Sequence, residues 1–289
     1  MKPNPQLGKV TFLDGQGDLP VMEVTTPWSR AEIYFHGAHV TQFQKHGEPP
    51  LLFLSQCSRF ESGSPIRGGI PIIFPWFGKP ADKPGQHGFA RSREWELKEV
   101  VSPADGSVIL RLGLPEQPEL PGCALEYVVG VSSTLTAELM VTNKSVEALK
   151  FENCLHTYLT VADIHSVSVT GLKGVDYLDA LENRQRKKEV ADAIRFTGEV
   201  DRIYVDSPHV VEIRDEAMRR VIRVEKENSR STVVWNPWIA KAKAMSDYGD
   251  DEYQRMVCVE SGNVALNEVT LPVGESSRLK VRLSAAALP

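Results

Sequence analysis

The sequence lacks the features that mark secreted, disulfide-stabilised or membrane proteins. It has only four cysteines, which are spread along the chain without a CxxC pair, so we expect reduced thiols in a reducing compartment. The N-terminal segment has no apolar run after its basic residue, and no stretch approaches the length of a membrane span. We therefore expect a cytoplasmic protein that does not contact a membrane.

An excess of positive charge is also missing. The 289 residues include 33 basic and 38 acidic side chains, which give a net charge of −5, and no basic stripe stands out. Because nucleic acid binding depends mainly on basic contacts with phosphates, a nucleic acid partner is not expected. A single phosphate group on a small ligand could still be bound by a few local arginines.

Helix signals are few, whereas strand signals are frequent. Apolar residues occupy every second position in residues 108–114, 125–131, 135–141 and 279–283. This period of two is typical of half-buried antiparallel strands, and many short strands separated by turn residues indicate a sandwich or barrel. We predict one all-β domain over residues 1–289, with a few short helices. One helix should follow Asn236-Pro237, and the charged residues 181–194 should form a solvated helix or surface loop.

Two loop-like segments interrupt the strand pattern with residues suited to ligand binding. In IRGGIPIIFPWFG, residues 66–78, two adjacent glycines would let another group approach the backbone closely. In QHGFAR, residues 86–91, a loop that contains Gln, His and Arg suits a polar binding edge.

Two strand-like segments each contain one titratable residue in apolar surroundings. In FENCLHTYL, residues 151–159, a strand would place Cys154, His156 and Tyr158 on one face. In VCVESGNV, residues 257–264, Glu260 interrupts an apolar run. A buried carboxylate is unfavourable unless it is paired or functional, and burial raises its pKa toward the range of a general base.

Together with EVDRIY and VVWNPWIAKAKAM, these segments resemble the glucose-6-phosphate 1-epimerase family, the hexose-6-phosphate mutarotases of the aldose 1-epimerase superfamily. The motifs occur in the same order from about Ile33 to the C-terminus. The resemblance implies a large antiparallel β-sandwich of the galactose mutarotase-like type with one sugar-binding cleft. It also implies an isomerase that needs no cofactor or metal, and we expect a monomer whose partner is a sugar phosphate.

The resemblance implies roles for individual residues. His156 and Glu260 would be the acid–base pair that opens and recloses the sugar ring. Arg67 and Arg91 look like substrate-binding arginines, and because a guanidinium can hold two phosphate oxygens at once, we expect them to hold the phosphate at the far rim of the cleft. The remaining expected contacts are with ring hydroxyls, from Gln86, His87 and Asp201, with Asp206 as an alternative to Asp201. Trp76 or Trp238 could stack on the sugar, although a core position is the alternative for both.

Other functions remain open at this stage. The same fold could act on unphosphorylated sugars, or bind a sugar phosphate without turnover. His36, His39 and His46 lie close together in sequence, but no carboxylate partner completes a metal-binding motif. Cys154 could be a nucleophile only if it met His156 at the right angle, which neighbours on one strand rarely do. The sequence leaves open the preferred hexose phosphate, the oligomeric state and the pathway.

Overall fold

A computed structural model describes residues 8–288, so the first seven residues of the N-terminal segment and Pro289 lie outside the described chain. In chain order, the first twelve strands are β1 (Lys9–Asp14), β2 (Pro20–Thr25), β3 (Ser29–Tyr34), β4 (His39–Lys45), β5 (Ile72–Ile73), β6 (Glu96–Val101), β7 (Val108–Leu114), β8 (Cys123–Val131), β9 (Leu135–Asn143), β10 (Leu149–Phe151), β11 (Asn153–Leu155) and β12 (Tyr158–Thr160).

The remaining strands are β13 (Val167–Thr170), β14 (Asp176–Asp179), β15 (Gln185–Lys188), β16 (Ala193–Arg195), β17 (Val200–Val205), β18 (Val210–Asp215), β19 (Arg220–Glu227), β20 (Ser231–Asn236), β21 (Met256–Asn263), β22 (Val269–Leu271) and β23 (Ser276–Ala287). The α-helix α1 spans Trp238–Ala244. Short 3-10 turns occupy Gln16–Asp18, Ala90–Ser92, Ile164–Ser166, Ala180–Glu182, Glu252–Arg255 and Ala265–Asn267. No helix within residues 8–288 has the length and apolar character needed to cross a membrane.

Two large sheets form the body of the molecule. One has nine strands in the order β16-β13-β18-β19-β23-β9-β8-β7-β6, and the other has the order β15-β14-β17-β20-β21-β11-β5, with β12 also paired to β21. A four-stranded sheet β1-β2-β3-β4 and the pair β10-β22 complete the fold. The registered strand pairs are antiparallel, so the predicted all-β antiparallel architecture is confirmed.

The nine-stranded sheet has the burial pattern that the sequence predicts. In β8 and β9 every second side chain is buried and the intervening ones are partly exposed. The buried set, which includes Leu279, Val281 and Leu283 of β23, shares one core cluster with Val257 and Val259 of β21. The two large sheets therefore pack face to face, as in a sandwich.

Strand β21 is buried along its whole length, because both of its faces are covered. Val257 and Val259 point toward the sandwich core, and the alternate positions Cys258 and Glu260 point to the other face of the sheet. Cross-strand pairing extends that second face, since Glu260 lies opposite Val233 and Cys258 opposite Trp235. The sheet thus uses one face for stability and leaves the other for a site.

Three local predictions can be compared with the structure. The helix after Asn236-Pro237 is confirmed as α1, and the Asn236 side chain accepts a hydrogen bond from the Trp238 amide at 2.9 Å. The prediction of a solvated helix in residues 181–194 is wrong, because an exposed strand, β15, forms a hairpin with β14 there. The strand expected through His156 is interrupted, because β11 ends at Leu155 and β12 starts at Tyr158.

Candidate active site

His156 and Glu260 converge although 104 positions separate them in the sequence (260 minus 156). His156 Nε2 lies 3.3 Å from Glu260 Oε1, and the two residues are 6% and 1% exposed. The fold brings them together because β11 and β12, which flank His156, both pair with β21, which contains Glu260. The contact is therefore a product of strand register, and it joins one imidazole to one carboxyl in a nearly water-free environment.

Aromatic packing fixes the orientation of the His156 ring. The imidazole stacks on Tyr158 with ring centroids 4.7 Å apart and an interplanar angle of 11°, and it meets Trp235 edge-on at 6.0 Å. The His156 amide donates a 3.0 Å hydrogen bond to the Pro71 carbonyl, which ties the strand break to the proline-rich segment. His156 Nδ1 is buried and has no hydrogen-bond partner within the described chain.

The environment shifts the pKa values of the pair in opposite directions. Burial raises the pKa of Glu260 well above its usual value, and the nearby charge of Asp201 adds to this effect. Burial lowers the pKa of His156 well below its usual value, and the positive charges of Arg91 and Arg67 lower it further. Low solvation therefore favours the neutral form of each group.

A cavity of about 280 Å³ opens beside this pair. Its volume is close to the roughly 300 Å³ at which small-molecule clefts begin, which suits a ligand of monosaccharide size. It is lined by Arg67, Phe77, Gly78, Gln86, His87, His156, Ala180, Arg184, Asp201, Ile203, Val233, Trp235, Lys241, Met245 and Glu260.

Four of the five residues expected to bind substrate lie on this lining. They are Arg67, Gln86, His87 and Asp201. The alternative to Asp201 lies elsewhere: Asp206 pairs with Arg230 and is absent from the lining.

Arg91 is located behind the cavity wall. It is 8% exposed, and its guanidinium donates a 2.8 Å hydrogen bond to the Gln86 carbonyl. Burial lowers the pKa of Arg91 to about 10, with a further contribution from the positive charge of Arg67. Arg67 lies near His156, because it donates to the hydroxyl of Tyr158, the ring on which His156 stacks.

Arg67 is held by side chains on both sides. Its Nε and terminal nitrogen donate to Asp247 Oδ2 at 3.2 and 3.0 Å, and its other terminal nitrogen donates to the Tyr158 hydroxyl at 3.0 Å. The Tyr158 ring is the surface on which His156 stacks. Arg67 therefore links the ring that supports the His156 imidazole to the cavity wall.

The two glycines of the RGG motif allow neighbouring backbone segments to pack closely against the motif. A Cβ at Gly68 would lie 2.5 Å from the Phe53 carbonyl oxygen, and one at Gly69 would lie 2.2 Å from the Val40 carbonyl oxygen. The close approach predicted for this motif is thus an approach of neighbouring strands. It allows Arg67 to enter the cavity from a chain that is packed tightly on both sides.

Three lining residues that sequence reasoning did not identify are Arg184, Trp235 and Lys241. Trp235 is the tryptophan of the cavity, while Trp76 packs against Phe89 and Trp238 packs against Tyr253. The available signal for Trp235 was its place in VVWNPW, one of the family-like motifs. Arg184 gave no such signal, because it lies in the charged segment assigned to the solvated surface.

A second hydrogen-bonding centre holds the rim of the cavity. The Glu152 carboxylate accepts hydrogen bonds from the Phe77 amide at 2.7 Å and from the Ala265 amide at 2.6 Å. At the same rim, the Gly78 amide donates to His87 Nδ1 at 3.1 Å. These contacts fix the segment before β6 against the end of β21.

One group of side chains in residues 8–288 has donor atoms close enough together to hold a metal ion. The donors of His156, Cys258 and Glu260 lie within 4.8 Å of one another. An ion there would use the same lone pairs that the acid–base pair needs. The histidines considered in the sequence make other contacts, since His36, His39 and His46 each face a backbone carbonyl through Nε2.

A larger groove of about 570 Å³ lies between β4 and the region near β12. Its one acidic lining residue, Glu252, accepts hydrogen bonds from the Ser55 hydroxyl at 2.6 Å and the Gln56 amide at 2.8 Å. Because that carboxylate is already used in structural hydrogen bonds, the smaller cavity with its unconstrained acid–base pair is the better candidate site.

Comparisons of the sequence and the structure with known proteins point to one family. The family profile described as aldose 1-epimerase matches residues 20–284. A protein of Cenchrus ciliaris, provisionally named glucose-6-phosphate 1-epimerase, is 38% identical over 268 residues, which cover 88% of this chain and 81% of that protein. A protein of the same provisional name from Escherichia coli K12 is 34% identical over 254 residues, with 84% and 83% coverage. A Salmonella typhimurium crystal structure, provisionally described as a mutarotase, has a TM-score of 0.89 at 29% identity and covers 96% of this chain and 94% of that one.

Proposed function

We propose that this chain, which belongs to the aldose 1-epimerase family, interconverts the α and β anomers of a hexose 6-phosphate, with D-glucose 6-phosphate as the first substrate to test. The observation that carries the proposal is the 3.3 Å contact between His156 and Glu260 on the wall of a cavity of monosaccharide size. The substrate class rests on the names of the relatives from Cenchrus ciliaris and Escherichia coli K12.

Anomer exchange requires one base that reaches the anomeric hydroxyl and one acid that reaches the ring oxygen. Glu260, as a carboxylate, takes the proton of the anomeric hydroxyl, while His156, as an imidazolium, donates its proton to the ring oxygen. The C1–O5 bond breaks as the C1 carbonyl forms. Rotation about C1–C2 then presents the other face of the carbonyl, and the same two groups act in reverse to reclose the ring.

The resting protonation state fits this cycle because the number of protons does not change. The resting pair is an acid and a neutral imidazole, and transfer of the single proton from Glu260 to His156 gives the reactive carboxylate and imidazolium. Their separation of 3.3 Å requires only a small approach for that transfer. Substrate hydroxyls that enter the cavity stabilise the charged form, since hydrogen bonds to a carboxylate favour ionisation.

The remaining lining residues suit a sugar. Gln86, His87 and Asp201 offer hydrogen-bond partners for ring hydroxyls, and Trp235 offers an apolar surface for a sugar face. Arg67 contributes a positive charge on the wall, and Arg91 supports Gln86 through its backbone carbonyl. We propose that Arg67 holds the ligand close to the acid–base pair and that Arg91 acts indirectly, by positioning Gln86.

The test is anomer exchange at equilibrium, measured by saturation-transfer NMR on glucose 6-phosphate and glucose side by side. We expect exchange of glucose 6-phosphate to be accelerated strongly, and His156→Ala or Glu260→Ala to lower the rate about 10²–10⁴-fold, the usual contribution of one acid or base. Near-normal exchange in either variant would disprove the assignment of the pair.

The same experiment separates the two alternative functions. Equal acceleration for glucose and glucose 6-phosphate would indicate an aldose 1-epimerase that acts on unphosphorylated sugars. Tight binding of glucose 6-phosphate without exchange would indicate a non-catalytic sugar-phosphate-binding protein. We further propose a cytoplasmic monomer, which size-exclusion chromatography with light scattering would test against the 32.1 kDa mass of one chain.

A further inference from the structure

We infer that Arg184, in the turn between β14 and β15, anchors the phosphate group of the substrate and thereby sets the preference for phosphorylated sugars. The inference rests on the proposed function and adds a residue that the family-like motifs do not contain. Its basis is the distribution of charge around the cavity. Arg67 and Lys241, the other two basic lining residues, form ion pairs, whereas Arg184 forms none within the described chain.

The other basic side chains of the cavity wall are already neutralised. Arg67 forms its ion pair with Asp247 at 3.0 Å. Lys241 pairs with Glu199 at 3.0 Å and lies 3.7 Å from Asp201. Within residues 8–288, the Arg184 guanidinium makes neither an ion pair nor a hydrogen bond. A phosphate that enters the cavity therefore meets one guanidinium that forms no ion pair with the residues that the structure describes, although its charge reaches Asp201 and opposes the rise in the pKa of that carboxyl.

The backbone holds Arg184 at the mouth of the cavity. Asn183 and Arg184 both have left-handed φ values, 52° and 59°, and the Arg184 amide donates a 2.8 Å hydrogen bond to the Asp179 carbonyl. This tight turn closes the β14–β15 hairpin. A Cβ placed on Gly78 would lie 3.4 Å from the Arg184 guanidinium, so the absence of a side chain at Gly78 leaves room beside that group.

The order of strands in the sheet separates Arg184 from the acid–base pair. Arg184 follows β14, and Glu260 lies on β21, with β17 and β20 between those strands. Three interstrand spacings of about 4.8 Å put the two strands about 14 Å apart, a gap that the long arginine side chain partly bridges. A hexose 6-phosphate has its reactive carbon and its phosphate at opposite ends, so it can place C1 at the acid–base pair and the phosphate at Arg184.

The test compares Arg184→Ala with Arg186→Ala, a control in the same hairpin. Arg186 pairs with Asp176 at 2.7 Å and is absent from the cavity lining. We expect Arg184→Ala to raise KM for glucose 6-phosphate about tenfold or more, with kcat nearly unchanged, because a charge-assisted contact is lost in ground and transition state alike. KM for glucose should not change, and Arg186→Ala should match the unmodified chain with both sugars.

Inorganic phosphate provides a second measurement that does not depend on turnover. Calorimetric titration should show phosphate binding to the unmodified chain and to Arg186→Ala, and weaker binding to Arg184→Ala, with partial recovery in Arg184→Lys. Unchanged KM and unchanged phosphate binding in Arg184→Ala would overturn the role of Arg184, while the proposed function would stand if Glu260 were still needed. If the unmodified chain does not accelerate exchange of glucose 6-phosphate at all, the proposed function itself fails.

Discussion

Glu260→Gln should make the protein more stable as well as less active, and the gain should depend on pH. The glutamine has the same shape and still fills the buried position, but it cannot ionise. Burial raises the pKa of Glu260 in the folded protein well above its usual value. The unfolded chain ionises near pH 4.3, the ordinary pKa of glutamate. Above that pH, folding of the unmodified chain must take up one proton that folding of the glutamine variant does not need.

The magnitude follows from linkage of one proton. The free energy of unfolding of the unmodified chain should fall, relative to the variant, by about 1.4 kcal/mol per pH unit wherever the unfolded chain is ionised and the folded chain still holds the proton. Because folding raises the pKa of Glu260, the protonated carboxyl contributes fully to stability below the pKa of glutamate in the unfolded chain. That contribution is lost as the pH rises toward the pKa of Glu260 in the folded protein.

Urea unfolding of both chains at several pH values between 5 and 8 measures this difference. The control is Glu252→Gln, because Glu252 is also buried but accepts hydrogen bonds from Ser55, Gln56 and Gly249. That substitution should lower stability, since it weakens charge-assisted hydrogen bonds. A difference between Glu260→Gln and the unmodified chain that is the same at every pH would refute the reasoning.

Two further outcomes follow from the same structure. The first is the pH profile of kcat/KM, measured with glucose 6-sulfate so that no ligand phosphate titrates. Because only the singly protonated pair is active, activity should fall at acid pH below the usual pKa of histidine and at alkaline pH above the usual pKa of glutamate. A fall in activity at the ordinary pKa of histidine would contradict this. The second is the stability of Gly69→Ala, measured by urea unfolding. This substitution should lower the free energy of unfolding by about 2 kcal/mol or more, because its Cβ would lie 2.2 Å from the Val40 carbonyl oxygen. The control Gly47→Ala, which has open space around its Cβ, should lower the free energy of unfolding by only about 1 kcal/mol.

The sequence predicted the architecture well because the relevant signals are local. Alternating apolar residues specify half-buried strands, and the all-β fold and the helix α1 are confirmed. The resemblance to the family is confirmed too, since its motifs are long and occur in order. The assignments of His156 and Glu260 to catalysis, and of Arg67, Gln86, His87, Arg91 and Asp201 to binding, stay predictions, although all but Arg91 lie on the cavity lining.

The remaining parts of the site depend on contacts between distant segments. Whether Trp76, Trp235 or Trp238 faces a cavity depends on the register of strands far apart in sequence, which no local pattern gives. Residues 181–194 are expected to form a solvated helix or surface loop because the segment is highly charged. In the structure that stretch is a hairpin on the sheet edge, and its turn reaches the mouth of the cavity.

The covering of β21 on both faces has a consequence for how the protein could be altered. Glu260 is built into this fully buried strand, whereas β15, at the edge of the sheet, is mostly exposed. With the proposed roles of Glu260 and Arg184, exchange of the β14–β15 turn would change the ligand preference and leave the reaction itself unchanged.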